Sequence, residues 1–278
     1  MEPKLTSPSV VREILDGLGL RPQKRLGQHF LIDFHARERI VAALDLQAGD
    51  RVLEIGPGLG AITQRLVELC GDVRAIEIDR ALAAFLRDRF GTSLQVIEGD
   101  ALEADLKEIL GPQGKLVGNL PYYISTPLVV RILEAAPQVA VLMLQSEVAQ
   151  RLAAVPGSPQ RGALTLLREY AADIDTVTRV GAGLFYPPPQ VGSQVIRLRA
   201  HRAPTASPWT AIRPVVQAAF GYRRKTLERA LEEGLGVERE HGRAALLAAG
   251  IDPRRRGETL SLDEFDRLTA ALAVPASR

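Results

Sequence analysis

A chain of 278 residues is long enough for one large domain and one small one. Its 46% hydrophobic share supports a sizeable core, and with only 5% aromatics that core must be mostly Ala, Leu, Val and Ile. A net charge of +2 permits a nucleic-acid partner without arguing for one; the single cysteine excludes a disulfide framework and a Cys-rich metal site, and no run of eighteen or so apolar residues offers a membrane span.

The opening MEPKLTSPSV has no long apolar run, so no secretory signal is expected and a cytoplasmic location fits. Ser7-Pro8 reads as a helix start leading into Val10, Val11, Ile14 and Leu15, with Gly17 and Gly19 as its stop. A basic extended stretch, Arg21 to Phe30, follows. Asp33 is placed to cap a second helix carrying Ile40, Val41 and Leu44. From Arg51 the rhythm changes. Short β-type runs (52–55, 73–78, 94–97, 115–117, 139–144) alternate with helical stretches (61–70, 80–90), the pattern of βαβ units around a parallel sheet. Two later strands, at 173–180 and 193–199, flank Phe185-Tyr186-Pro187-Pro188-Pro189. A Pro/Ser/Ala-rich joint at 201–208 separates them from a helical remainder, Trp209 to Arg278. The expected architecture is a doubly wound α/β domain over residues 1–200, followed by a small helical domain over 201–278.

Glu54-Ile55-Gly56-Pro57-Gly58-Leu59-Gly60 follows a buried-type strand and opens a helix. Glycines there allow a sharp turn and close approach of a ligand, although a tight strand-to-helix turn needs no ligand. Two carboxylates sharpen the reading. Glu77 ends the next strand about twenty residues on, where an acidic side chain accepts hydrogen bonds from ribose hydroxyls. Asp100 ends the strand after it, where it can accept from an adenine amine; the plainer role for Asp100 is a cap on a helix over 101–106. Paired carboxylates beside a loop containing Pro57 favour a nucleoside cofactor without pyrophosphate over a dinucleotide.

Asn119-Leu120-Pro121-Tyr122 comes next at a strand end. An adenine N6 amine is a poor nucleophile because its lone pair is delocalised into the ring. The Asn119 amide oxygen and a main-chain carbonyl, that of Leu120, can accept its two N–H bonds and localise the pair. Pro121 stiffens the turn, and Tyr122 offers a ring on which a base can stack. An ordinary Asn-Pro turn beside a core tyrosine is the rival reading.

These motifs resemble those of the small-subunit ribosomal RNA adenine dimethyltransferases. The resemblance runs from about Lys24 to Leu272 and includes Lys24–Leu31, Glu54–Gly60, Asn119–Thr126, Met143–Val148, Phe185–Pro189, Phe220–Leu227 and Leu260–Phe265. It implies a Rossmann-like fold and S-adenosylmethionine as methyl donor. The implied substrate is a pair of adjacent adenines in the 3′-terminal hairpin of 16S RNA, within the small ribosomal subunit. The implied cofactor set is Gln28, His29, Leu31, Gly56, Gly58, Glu77, Ile78, Asp100, Ala101 and Asn119. The implied catalytic set is Asn119, Leu120, Pro121 and Tyr122, with Phe185 closing on the target base opposite Tyr122. Lys24, Arg25, Arg223, Arg224 and Lys225 are the expected RNA contacts. His29, Tyr123, Ser146 and Gly192 depart from the residues that family usually carries, which bears on details of RNA contact.

Cys70 reads as packing. His35, His201 and His241 lack ligand-like spacing, so no metal is expected. Arg254–Arg256 reads as a solvated loop or a weak phosphate site, and a monomer is expected. Three rivals stand beside this reading. A large-subunit RNA adenine methyltransferase conferring drug resistance shares the glycine loop but not the 223–226 and 261–265 motifs. A dehydrogenase is disfavoured by Asn119–Tyr122 and Pro57. A binding protein that kept the fold is disfavoured by intact Asn119, Tyr122, Glu77 and Asp100.

Overall fold

The computed structural model describes residues 5–273, and the side chain of Lys24 lies outside the described residues. In chain order the elements are α1 (Pro8–Gly17), β1 (Phe30–Leu31), α2 (Phe34–Ala43), β2 (Arg51–Ile55), α3 (Ala61–Leu69), β3 (Asp72–Glu77) and α4 (Arg80–Phe90). They continue with β4 (Gln95–Glu98), α5 (Leu106–Leu110), β5 (Lys115–Asn119), α6 (Ser125–Ala135), β6 (Val139–Gln145), α7 (Ser146–Leu152) and α8 (Ala163–Ala171). The last are β7 (Ala172–Val180), β8 (Phe185–Tyr186), β9 (Ser193–Ala200), α9 (Trp209–Gly221), α10 (Leu227–Leu235), α11 (Arg239–Ala248) and α12 (Leu262–Leu272).

Seven strands form one sheet in the order β4-β3-β2-β5-β6-β9-β7. The pairs β4–β3, β3–β2, β2–β5 and β5–β6 are parallel; β9 lies antiparallel to β6. β6 is buried along almost its whole length, the continuous apolar run expected of a strand covered on both faces. From β2 the chain winds outward through β3 and β4, then crosses back to β5 on the other side. The strand order therefore reverses between β2 and β5, and a crevice opens at their carboxyl ends. A separate antiparallel pair, β1 with β8, lays Leu31 beside Phe185.

Local chemistry explains most element ends. Asp33 caps α2 by accepting the Ala36 N–H at 2.6 Å, as its position foretold. Asp79 caps α4 in the same way. The helix expected over 101–106 is instead a turn. Asp100 accepts the Leu102 N–H at 2.8 Å, but the helix begins at Leu106 under a second cap, Asp105, which accepts from Glu108.

The chain divides into two compact units, 1–149 with 173–200, and 150–172 with 201–278. The expected single boundary near residue 200 thus places one segment differently. Leu166, on α8, is fully buried in a cluster with Ile212, Val216, Leu246 and Phe265 of the helical unit. An apolar helix face carries no label saying which core it will join, and here α8 completes the smaller one. Within that unit Arg161 is fully buried. Its guanidinium donates to both oxygens of Glu169, at 2.7 and 2.9 Å, and to the Leu260 carbonyl at 3.2 Å.

Candidate active site

The register of the parallel strands sets up the site. Ile55 pairs with Ile76 and with Gly118, so Gly56, Glu77 and Asn119 arrive level at the carboxyl edge. Glu77 pairs with Glu98, which brings Asp100 to the same edge two residues later. Between them lies a cleft of about 670 Å³. Gln28, His29, Gly56, Gly58, Glu77, Ile78, Asp100, Ala101, Asn119 and Pro121 all line it. Leu31, Gly58 and Glu54 border a smaller open recess beside it.

All three loop glycines have positive φ, and at two of them a Cβ would also crowd a neighbouring ring. Gly58 has φ +60°, and a Cβ there would stand 3.1 Å from the Phe30 ring. Gly60 has φ +84°, and its Cβ would fall 2.7 Å from the Phe90 ring. The open conformation frees the Gly58 N–H to donate to the Glu77 carboxylate at 3.0 Å, while the Asp79 N–H donates to its other oxygen at 2.9 Å. Glu77 is only 4% exposed. Burial pushes its carboxyl up to about 7, against the pull of these backbone donors. Glu54, wholly buried beneath the loop, is pushed up to about 8 by the same loss of water, and the 2.6 Å bond from the Thr63 hydroxyl only partly offsets it.

The N-terminal segment is tied to this site by a residue that sequence reasoning did not single out. The Asp79 carboxylate accepts from the side-chain amides of Gln23 and Gln28, both at 2.9 Å, while capping α4 with its other oxygen. The Gln23 N–H in turn donates to the Gln28 side-chain oxygen at 2.8 Å. Gln28 lines the cleft with each end of its amide hydrogen-bonded, and so ties the segment to the start of α4. The spacing Glu77-x-Asp79 just before a helix was the available signal, and it reads from sequence only as a cap.

The sequence Asn119–Tyr122 adopts a fixed conformation. The Asn119 side-chain Nδ2 donates to the His29 carbonyl at 3.0 Å. Because a carbonyl can only accept, this bond determines which end of the amide carries the donor and leaves Oδ1 as the acceptor end of a residue that lines the cleft. The Leu120 N–H donates to the Met143 carbonyl at 3.1 Å, and its side chain is buried. Tyr122 is half-buried: its hydroxyl is 2.7 Å from that of Ser193, and its ring lies 5.8 Å from the His29 ring at 29°. Burial raises the Tyr122 phenol above its usual range. The His29 Nδ1 is 2.7 Å from the Pro187 carbonyl and so carries the proton.

Phe185 does not join the cleft. It is 2% exposed and packs in the core with Leu31, Val180 and Val195. Its strand β8 pairs with β1, and that pairing turns the ring inward. The aromatic rings that line the cleft are those of His29, Phe30 and Tyr123. Cys70 packs in the same core as Phe185, and burial raises its thiol above the ordinary range.

Of the expected RNA contacts, Arg25 is exposed and donates to the Gln23 side chain at 3.0 Å. In the helical unit Arg223 reaches the Pro159 carbonyl at 2.9 Å, Lys225 stands 3.7 Å from Glu233, and Arg224 is exposed. Among the described residues no helix is long and apolar enough to cross a membrane, and no three His, Cys, Asp or Glu side chains gather to hold a metal.

This architecture has known counterparts. The family described as ribosomal RNA adenine dimethylase matches residues 5–273. The chain belongs to that family. It is an rRNA adenine dimethyltransferase with a Rossmann-like fold. Among curated relatives, the ribosomal RNA small subunit methyltransferase A of Pelotomaculum thermopropionicum is 44% identical over 94% of this chain and 95% of its own length. That of Syntrophotalea carbinolica is 48% identical over 89% and 96%. Among solved structures, a dimethyladenosine transferase from Plasmodium falciparum superposes with TM-score 0.72 at 25% identity, covering 86% of this chain and 95% of that one. The 23S rRNA methyltransferase ErmE gives 0.66 at 28%, covering 87% and 98%.

Proposed function

We propose that this member of the family uses S-adenosylmethionine to dimethylate N6 of two adjacent adenines in the 3′-terminal hairpin of 16S RNA, acting on the small ribosomal subunit in the cytoplasm as a monomer. The observation that carries this reading is Asn119, its amide oriented by the bond to His29, lining one cleft together with Glu77 and Asp100. The curated small-subunit relatives are 39–48% identical, whereas the large-subunit enzyme is 28% identical. That contrast favours the small subunit as substrate.

The residues present fit the cofactor. Glu77 would accept from its ribose hydroxyls, Asp100 from its adenine amine, and the open loop around Gly56 leaves room for its amino-acid end. The bound sulfonium supplies an electrophilic methyl group. Asn119 Oδ1 and the Leu120 carbonyl accept the two N–H bonds of the target amine, which localises its lone pair toward the cleft. The methylated nitrogen sheds one proton to solvent and keeps a single N–H, so the second transfer proceeds with one of these acceptors unused. The Tyr122 ring is the proposed surface for the target base, and Phe185, which lies in the core beside Leu31, is the residue that would close on that base from the opposite side.

Glu77→Ala should weaken cofactor binding by roughly 1.5–3 kcal/mol, through loss of charge-assisted bonds. Ribose hydroxyls donate to the ionised carboxylate, so binding draws a proton off Glu77, whose carboxyl sits at about 7. Affinity should therefore rise as pH increases through that value, and Glu77→Gln should remove most of the dependence. For the free protein the sign is opposite. A raised carboxyl stabilises the fold fully below its unfolded value, and that contribution is lost as pH rises through about 7. Calorimetric titration and melting curves across this range check both; affinity that is flat or falls with pH would contradict the role given to Glu77.

RNA affinity is assigned to local charge, because the whole chain carries only +2. Neutralising Arg223, Arg224 and Lys225 together should weaken binding to small subunits and flatten its salt dependence, with cofactor affinity unchanged. An unaltered salt slope with normal affinity would remove this cluster from the RNA surface. The reading as a whole is tested by deleting the gene in its host and digesting 16S RNA for mass spectrometry: the dimethyladenosines should vanish and return on complementation.

A further inference from the structure

Two consecutive tyrosines follow Pro121, and the structure treats them oppositely. They stand on a single tight turn, Tyr122–Ile124, fixed by the Ile124 N–H donating to the Pro121 carbonyl and by the Ser125 hydroxyl donating to that of Tyr122. With about three residues per turn, successive side chains on such a turn point in well-separated directions. Tyr122 turns inward to Ser193 and His29. Tyr123 turns outward. It is 56% exposed, makes no hydrogen bond or ring contact among the described residues, and lines the mouth of the cleft that holds Asn119 and Asp100. A large apolar ring left without partners on a rigid turn, at the rim of a site that must take in a nucleobase, is pre-positioned for a flat partner arriving from solvent.

We propose that Tyr123 is a stacking platform for the RNA base next to the target adenine, and so determines how the strand is seated while Asn119 acts on its neighbour. This deepens the small-subunit reading above and rests on it. A base entering the cleft must leave its own stack, and its neighbour loses a stacking face in the same movement. An exposed tyrosine beside the entry supplies a replacement face to whichever base flanks the target. Where two adjacent adenines are modified in turn, the same ring serves each register, because stacking needs only a π-face. The ring's outward direction favours RNA over the cofactor: the groups assigned to the cofactor, Glu77 and Asp100, lie at strand ends inside the cleft, and Tyr123 stands at its solvent side.

The test compares wild type with Tyr123→Ala, Tyr123→Phe and Tyr123→Trp on small subunits isolated without these methyl groups. Tyr123→Ala should raise KM for subunits about tenfold or more, with kcat, cofactor Kd and melting temperature near wild type. Tyr123→Phe and Tyr123→Trp should restore KM, since the ring and not the hydroxyl does the work. The proposal is overturned by an unchanged KM for subunits in Tyr123→Ala. It is equally overturned by a weakened cofactor Kd in its place, or by Tyr123→Phe behaving as badly as alanine. A wild-type enzyme inactive on these subunits would remove the small-subunit reading itself; an active wild type with an indifferent Tyr123→Ala removes this proposal alone.

Discussion

Replacing Asn119 with alanine should lower the methyl-transfer rate by roughly 10²–10³-fold, the scale of losing one oriented polar contact to a reacting group, while leaving the fold intact. The side chain stands at the end of β5, half-exposed at the cleft, and gives the structure one hydrogen bond, from Nδ2 to the His29 carbonyl. Losing that bond costs about 1 kcal/mol, a small part of the stability of a domain this size. Catalysis depends on the other end of the amide. Without Oδ1 the amine of the target base loses an acceptor that favours pyramidal nitrogen, and its lone pair stays in the ring. Asn119→Asp should not rescue the rate. It keeps an oxygen toward the substrate but turns the second carboxylate oxygen against the His29 carbonyl, where neither can donate, so the side chain must rotate away. Tritium transfer to subunits, read beside a melting curve, checks both variants. A near-normal rate in Asn119→Ala would show that another group activates the amine.

The largest stability effect is expected far from the site. Arg161→Ala should destabilise the helical unit by about 3–5 kcal/mol, the usual consequence of breaking one side of a buried ion pair. The Arg161 guanidinium is fully buried and gives both its terminal nitrogens to Glu169 and its Nε to the Leu260 carbonyl. Alanine leaves the Glu169 carboxylate only its more distant contact with Arg168, at 3.7 Å, and leaves a carbonyl without this donor and a cavity. A domain holds only about 5–15 kcal/mol in all, so the unit should approach unfolding at moderate denaturant. Arg161→Met with Glu169→Leu removes both charges and should recover much of the loss. Trp209, the single tryptophan, lies in this unit against Tyr170, so its fluorescence in a denaturant titration reports the right part of the molecule. A midpoint for Arg161→Ala equal to wild type would show that the pair contributes little.

How much of this was legible in the sequence depends on how local the determinant is. The alternation of β-type runs and helices from Arg51 to Leu144 is a local pattern, and the parallel sheet followed from it. The glycine loop, Glu77 and Asn119 were readable because each owes its place to the strand immediately before it. The Asp79 clamp was not, since its partners Gln23 and Gln28 lie more than fifty residues upstream and no local pattern links them. The burial of Phe185 depends on the pairing of β8 with β1, again across most of the domain. The start of α5 was misplaced because Asp100 and Asp105 are both competent caps, and the turn formed at the first lets the second win. The assignment of 150–172 to the helical unit turned on which of two apolar cores offered α8 a complementary face.

The central claim is that this cleft delivers methyl groups to adenine N6 in small-subunit RNA. Purified protein, labelled S-adenosylmethionine and small subunits lacking the modification suffice to test it, with the 16S RNA then digested and its nucleosides resolved by mass spectrometry. The structure predicts N6,N6-dimethyladenosine carrying the label at two neighbouring positions of the 3′-terminal hairpin, and none with Asn119→Ala over the same time. Label confined to large-subunit RNA, or absent while the protein binds the cofactor, would contradict it.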